Sequence, residues 1–139
     1  EDEKLKKWFH SELKKTCNRH NKNYYKKYKK WCDEYFYLPH RNEPRGIGGI
    51  FFDYKNKNFE KDFKFVRDVG ITFQILFNQI IKRKLKKKWT LKDKETQYIK
   101  RGRYSEFNLL YDRGTKFGLQ TGGNVEGILM SLPPLAKWK

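Results

Sequence analysis

The chain has 139 residues, a formal net charge of +17, and 37% hydrophobic and 35% charged residues. That length suits one domain with a real core, and an aromatic content of 17% excludes a disordered composition. The excess of lysine points to an anionic partner (nucleic acid, an acidic membrane, or a carboxylated or phosphorylated small molecule), while no apolar run is long enough to span a bilayer.

Leu5, Trp8, Phe9, Leu13 and Cys17 recur at helical spacing and predict a helix over residues 3–19. Tyr24, Tyr25, Tyr28, Trp31, Cys32, Tyr35 and Phe36 repeat the pattern, and Pro39 closes a second helix. In YYKKYKKW the aromatics share one face and the lysines the other, which is amphipathic packing rather than a platform for stacking bases. GIGGIFFDY, residues 46–54, is β-rich and predicts a strand. Helical spacing returns from Phe59 through Phe63, Val66, Val69, Phe73, Leu76, Phe77, Ile80 and Ile81. The cations of KRKLKKKW follow at the end that the helix dipole makes negative, and they read as a solvated face. A shorter helix is expected over residues 92–100, ended by Gly102. YSEFNLLYD then predicts a strand, DRGTK a turn, FGLQT a returning strand, and NVEGILMSL a last strand ending at Pro133. Helices with hairpin-linked strands predict an α+β fold with a mainly antiparallel sheet. No repeat or linker divides the sequence, so residues 1–139 read as a single domain.

Gly46, Gly48 and Gly49 raise the possibility of a phosphate loop, but they precede a predicted strand and lack the GxGxxG and GxxxxGK[ST] spacings. Beside them stand Arg41 and Arg45, whose planar forks suit carboxylates. A second cluster, Asp112, Arg113 and Lys116 with Gly122 and Gly123 behind, has two readings: a carboxylate-binding turn, or an ordinary turn with Asp as its former. His10, His20 and His40 show no metal spacing and no triad context, and Cys17 and Cys32 form no CxxC. Two cysteines make no disulfide framework, so a reducing compartment is expected. The opening EDEKLKKW and the closing PPLAKWK both read as cut ends of a longer protein.

Three ordered blocks resemble a known family: KKWCDEYFYLPHRNEPRGIGGIFFD (29–53), KRGRYSEFNLLYDRGTKFGLQTGG (100–123) and EGILMSLPPL (126–135). Together they resemble oxygen-dependent coproporphyrinogen III oxidase, from about Phe9 to Trp138 and over roughly the C-terminal half of that family's chain. The resemblance implies a partial domain of a fold with a large, mainly antiparallel β-sheet flanked by α-helices. It implies oxidative decarboxylation of two propionates of coproporphyrinogen III to vinyl groups, giving protoporphyrinogen IX in haem biosynthesis, with O2 as co-substrate and no required cofactor. Arg45 matches an arginine used for activity, and Asp112 and Arg113 match a pair placed at the substrate. Gly122 and Gly123 match the start of a substrate-binding Gly-Gly-Arg or Gly-Ser-Arg element, and Asn124 stands where arginine is common. His10 and His40 match histidines described as divalent-metal ligands in bacterial relatives. A homodimer is implied, with Tyr104, Glu106, Asn108, Leu110, Lys116, Leu129 and Ser131 in its interface segment. Further catalytic groups are expected outside these residues, so the piece alone is expected to be inactive. The cytoplasm is the expected location, with the mitochondrial intermembrane space as the eukaryotic counterpart. The competing reading from charge alone is a basic module for nucleic acid or acidic membranes.

Overall fold

The structure, a computed structural model, describes residues 2–138. Its elements in order are α1 (Glu3–His20), α2 (Tyr24–Tyr35), β1 (Tyr37–Leu38), β2 (Glu43–Pro44), α3 (Phe59–Lys84), α4 (Leu91–Leu110), α5 (Arg113–Gln120) and α6 (Val125–Leu129). They fall into two compact units. The first takes the chain through Tyr35 and again over Ile47–Lys87; the second takes Phe36–Gly46 and the chain from Lys88 onward.

The expected α+β fold with a large antiparallel sheet is corrected by this architecture. The chain is 65% helical, and the one ladder among the described residues pairs Tyr37 with Pro44 and Leu38 with Glu43. The physical reasons differ by segment. Gly102, expected to end a helix, lies inside α4 and is buried. A Cβ there would sit 2.4 Å from the Lys137 carbonyl oxygen, so the glycine serves close approach of the C-terminal tail. Of the segment expected as a strand at residues 104–112, residues 104–110 therefore continue α4 and Tyr111 is its C-cap. FGLQT belongs to α5 and NVEGIL to α6, because Asp112 and Asn124 act as N-caps, accepting from Thr115 N at 2.7 Å and Gly127 N at 3.2 Å. Residues 49–55 join no helix or ladder, and Tyr54 takes a left-handed φ of 52°. Instead Ile50 and Phe52 pack on the core of the first unit, and the Phe51 N–H donates to the Tyr28 carbonyl at 3.1 Å.

In the first unit, helix starts follow from caps. Asp2 accepts from Leu5 N at 3.1 Å and Asn58 accepts from Lys61 N at 3.0 Å. The apolar face of α1 meets both α2 and α3. Cys17, Tyr28 and Phe65 form the buried centre, with Tyr24, Tyr25, Trp31, Ile50, Phe52 and Val69 packed around it. The Phe65 ring meets Tyr24, Phe52, His20 and Tyr28 at centroid distances of 4.9, 5.0, 5.4 and 5.7 Å. Each such large side chain contributes roughly 1.5–3 kcal/mol by burial. Burial pushes the Cys17 thiol up to about 11, so it packs as an inert apolar group.

In the second unit, β1 and β2 form a hairpin around residues 39–42. Asn42 takes a left-handed φ of 52°, a conformation its short polar side chain tolerates. α4 opens with a capping box between Thr90 and Asp93. The tail returns to α4, where Lys137 N donates to Tyr98 O at 3.1 Å.

Candidate active site

Every side chain of the HRNEPR hairpin that bears charge is tied to α4. Arg41 forms a two-pronged pair with Glu106, its Nε donating to Oε2 at 3.0 Å and its Nη2 to Oε1. His40 Nε2 donates to the same Oε2 at 2.8 Å, and His40 Nδ1 shares a 2.8 Å hydrogen bond with the Tyr111 hydroxyl. Arg103 pairs with Glu43 and lies 3.7 Å from Glu106. Glu106 is 10% exposed, so its charge is stable only because these cations surround it. The Arg41 fork, then the His40 bond, hold its carboxyl below the usual glutamate range. Arg103 Nη1 is buried without a hydrogen-bond partner.

Arg45 is held differently. Its N–H donates to Phe36 O at 3.0 Å, and its guanidinium stands over Phe36, Phe107 and Tyr104 at 4.3, 4.8 and 5.2 Å from the ring centres. Phe107 also connects this residue to the second cluster, because its carbonyl accepts from Tyr111 N at 2.8 Å and Asp112 N at 3.0 Å. Asp112 then caps α5, and exposed Arg113 is that helix's first residue. Gly122, at φ 70°, and Gly123 turn the chain from α5 to α6, with Gly123 N donating to Gly118 O at 3.0 Å. Asn124 caps α6. Arg45, Asp112, Arg113, Gly122, Gly123 and Asn124 thus all belong to the second unit.

Of the other candidates, His10 lies in the first unit. Its Nε2 donates to Ile47 O at 2.8 Å, which leaves Nδ1 to accept the Tyr25 hydroxyl at 3.1 Å. In this conformation both nitrogens of His10 and of His40 are engaged within the chain. Among the described residues no group of three or more His, Cys, Asp or Glu side chains is placed to hold a metal. Of the glycine trio, Gly48 alone has a positive φ, 73°, and a Cβ there would press on Asp33 Oδ1 at 3.0 Å.

A sequence model described as coproporphyrinogen III oxidase matches residues 1–139. The chain belongs to that family. It is 60% identical over 139 residues, 99% of its length, to the oxygen-dependent coproporphyrinogen-III oxidase of Rickettsia bellii (strain OSU 85-389). It is 60% identical over 131 residues to the proteins of the same name from Rickettsia rickettsii (strain Sheila Smith) and Rickettsia akari (strain Hartford), 94% of this chain in each case. It covers 49% of the first of these and 47% of the other two. The chain therefore spans about half the length of the curated relatives it matches.

Within this member of the coproporphyrinogen III oxidase family, the residues expected at a dimer interface divide. Leu110, Lys116 and Ser131 are exposed, and Tyr104 and Leu129 are half-buried. Asn108 is buried with its Nδ2 donating to Tyr104 O at 3.1 Å, and Glu106 is the anion at the centre of the hairpin network. Sequence reasoning did not find the roles of Phe107, Arg103 and Glu43. The signal was available: Arg103, Glu106 and Phe107 are three and four apart, so on a helix all three reach one face.

Proposed function

We propose that the full-length protein is an oxygen-dependent coproporphyrinogen III oxidase and that these residues carry part of its substrate site. The observation that carries the reading is 60% identity, over 99% of the chain, to a protein of that name. In the reaction each of two propionates, R–CH2–CH2–COOH, and one O2 give R–CH=CH2, CO2 and H2O2. Oxygen takes the electron pair and two hydrogens, and no other cofactor is needed for the balance. The substrate offers carboxylates and pyrrole N–H groups. Arg45 and Arg113 are the groups here that suit the former. Asp112 suits the latter, because an ionised carboxylate only accepts hydrogen bonds and favours positive charge developing on the ring. Gly122, Gly123 and Asn124 would line the adjoining turn, with the Asn124 amide in place of a guanidinium.

We further propose a homodimer and a cytoplasmic location. Leu110, Phe117, Val125 and Met130 are 50–83% exposed on the second unit, which favours a partner surface there. No helix among the described residues is long and apolar enough to cross a membrane, and the relatives named above are bacterial.

The test uses the full-length chain, coproporphyrinogen III and air, and reads protoporphyrin fluorescence after oxidation of the product. Asn caps a helix about as well as Asp, so Asp112→Asn should leave Tm unchanged while kcat falls at least tenfold, about 1.4 kcal/mol. Arg113→Lys keeps charge but loses the fork, and should lower kcat/KM by roughly 1–3 kcal/mol. If Asp112→Asn turns over normally, the carboxylate is a helix cap only.

A further inference from the structure

Helix α3 carries two apolar faces. Phe65, Val69 and Leu76 lie on the face that packs within the first unit. A second stripe runs along the same helix, where Phe59, Phe63, Val66, Gly70, Phe73 and Phe77 follow one another in steps of four, three, four, three and four. Its apolar side chains are 46–75% exposed. The rings stack along the helix, Phe59 with Phe63 at 5.8 Å and Phe73 with Phe77 at 5.9 Å. A surface helix needs one apolar stripe, and a helix with two is built for burial on two sides. Alternating steps of four and three over about 27 Å form a straight seam, the pattern of a face that packs lengthwise on another element.

We propose that this seam is covered by an apolar segment of the same polypeptide that lies outside the 139 residues. The chain makes up 49% of the length of a relative to which it is 60% identical, so a comparable length of polypeptide is available to cover it. Charge argues against a second copy as the occupant. The helix that carries the seam bears Lys61, Lys64, Arg67, Lys82, Arg83 and Lys84 against Glu60, Asp62 and Asp68, and each copy carries a formal +17. Two such helices would repel, whereas a segment with Asp or Glu beside its apolar residues would complement this one.

The test is hydroxyl-radical footprinting of the wild-type full-length protein, with oxidation located by mass spectrometry and corrected for intrinsic reactivity. Tyr54, 78% exposed and off the seam, is the internal standard. The four seam phenylalanines should be oxidised roughly tenfold more slowly than Tyr54. That protection should persist on dilution to concentrations where light scattering shows monomer. Oxidation at the rate of Tyr54 would mean that the seam faces solvent, and the proposal falls. Protection that disappears with dilution would assign the seam to a second copy, and the proposal falls equally. As a second measurement, Phe77→Cys should resist maleimide in the native chain, against a buried wild-type background of Cys17 and Cys32, while Lys64→Cys reacts freely. Equal reaction at the two positions would also overturn the proposal.

Discussion

The first unit is held together by rings, the second by ions. Around Phe65 most contacts are aromatic and aliphatic, with one ion pair set among them, Lys55 with the buried Asp62 at 2.8 Å. Burial alone would lower the Lys55 ammonium, but its bonds to Asp62 and Tyr24 overcome that and hold it above its usual range. Around Glu106 the balance reverses: Arg41, His40 and Arg103 converge on one carboxylate, and Phe107 and Leu38 are the large apolar side chains buried in that unit. Burial is non-directional and tolerates adjustment, whereas a buried ion network requires every member in place. The first arrangement gives stability. The second fixes a hairpin and an arginine in one geometry, which a binding site needs more than stability.

That contrast can be broken at its strongest point. Phe65→Ala removes the ring at the centre of the first unit, 1% exposed, and should cost about 3–5 kcal/mol. The measurement is denaturant unfolding of the full-length protein together with amide exchange. Protection should fall in α1 and α3 before it falls in α4. A loss below about 1 kcal/mol would show that the ring cluster is not what holds this unit.

The next effect is smaller and lies in the other unit. Glu106→Gln keeps the shape but leaves Arg41, 25% exposed, without the carboxylate of its fork, while Arg103 keeps Glu43 and loses only the second anion 3.7 Å away; about 2–3 kcal/mol is expected. Amide exchange should rise in α4 and spare α1. The same residue sets a pH dependence. Its folded carboxyl titrates below the ordinary 4.5, because the Arg41 and His40 bonds favour the ionised form. The unfolded chain therefore binds more protons in that range. The contribution is complete above pH 4.5 and is lost as pH falls through the lower folded value. Wild type should lose α4 protection over that interval, and Glu106→Gln should flatten this limb. An unchanged acid limb in the variant would assign it to other carboxyls.

The two regions also differ in how far the sequence revealed them. α1, α2 and α3 fall close to the predicted bounds, because Leu13 and Cys17, Tyr28 and Cys32, and Phe65 and Leu76 are buried at helical spacing on their helices and leave a clean period. From Lys88 on, that signal weakens. Gly102, Ser105 and Asn108 are buried on α4 yet are small or polar, so hydropathy does not mark the face. Gly102 resembled a helix stop, although its contact is with Lys137, far along the chain. The candidate site residues were named from motif resemblance. Their physical supports, Glu106 and Phe107, were hidden because the segment was read with a period of two.

Gly102→Ala probes that hidden contact, with a smaller effect expected. The new methyl would meet the Lys137 carbonyl oxygen at 2.4 Å, and backbone there cannot yield as a flexible side chain would. The tail should leave α4, breaking the Lys137 N–H bond to Tyr98 and the Lys137–Glu95 ion pair. Alanine favours the helix by about 0.8–1 kcal/mol over glycine, which offsets much of that loss. The predicted result is a protein of nearly wild-type Tm in which the Lys137 amide, which donates to Tyr98 O, loses its protection from hydrogen exchange. A variant with an intact tail would mean that the helix shifts to make room.

The smallest effect is expected where the charge is densest. Lys86, Lys87 and Lys88 are exposed, and Lys84 pairs with Asp2 at 2.5 Å with both side chains more than a third exposed. Exposed ion pairs are screened and add little, and a solvated lysine loses no hydration by being there. If the proposed activity holds, replacing all four by Gln in the full-length protein should therefore keep kcat/KM within about threefold and leave amide protection in both units unchanged. Binding to random DNA, if any, should weaken with the lost charges and vanish at moderate salt. A hundredfold loss of turnover would place a substrate carboxylate on this run, and the division between a scaffold of rings and a site of arginines would fail there.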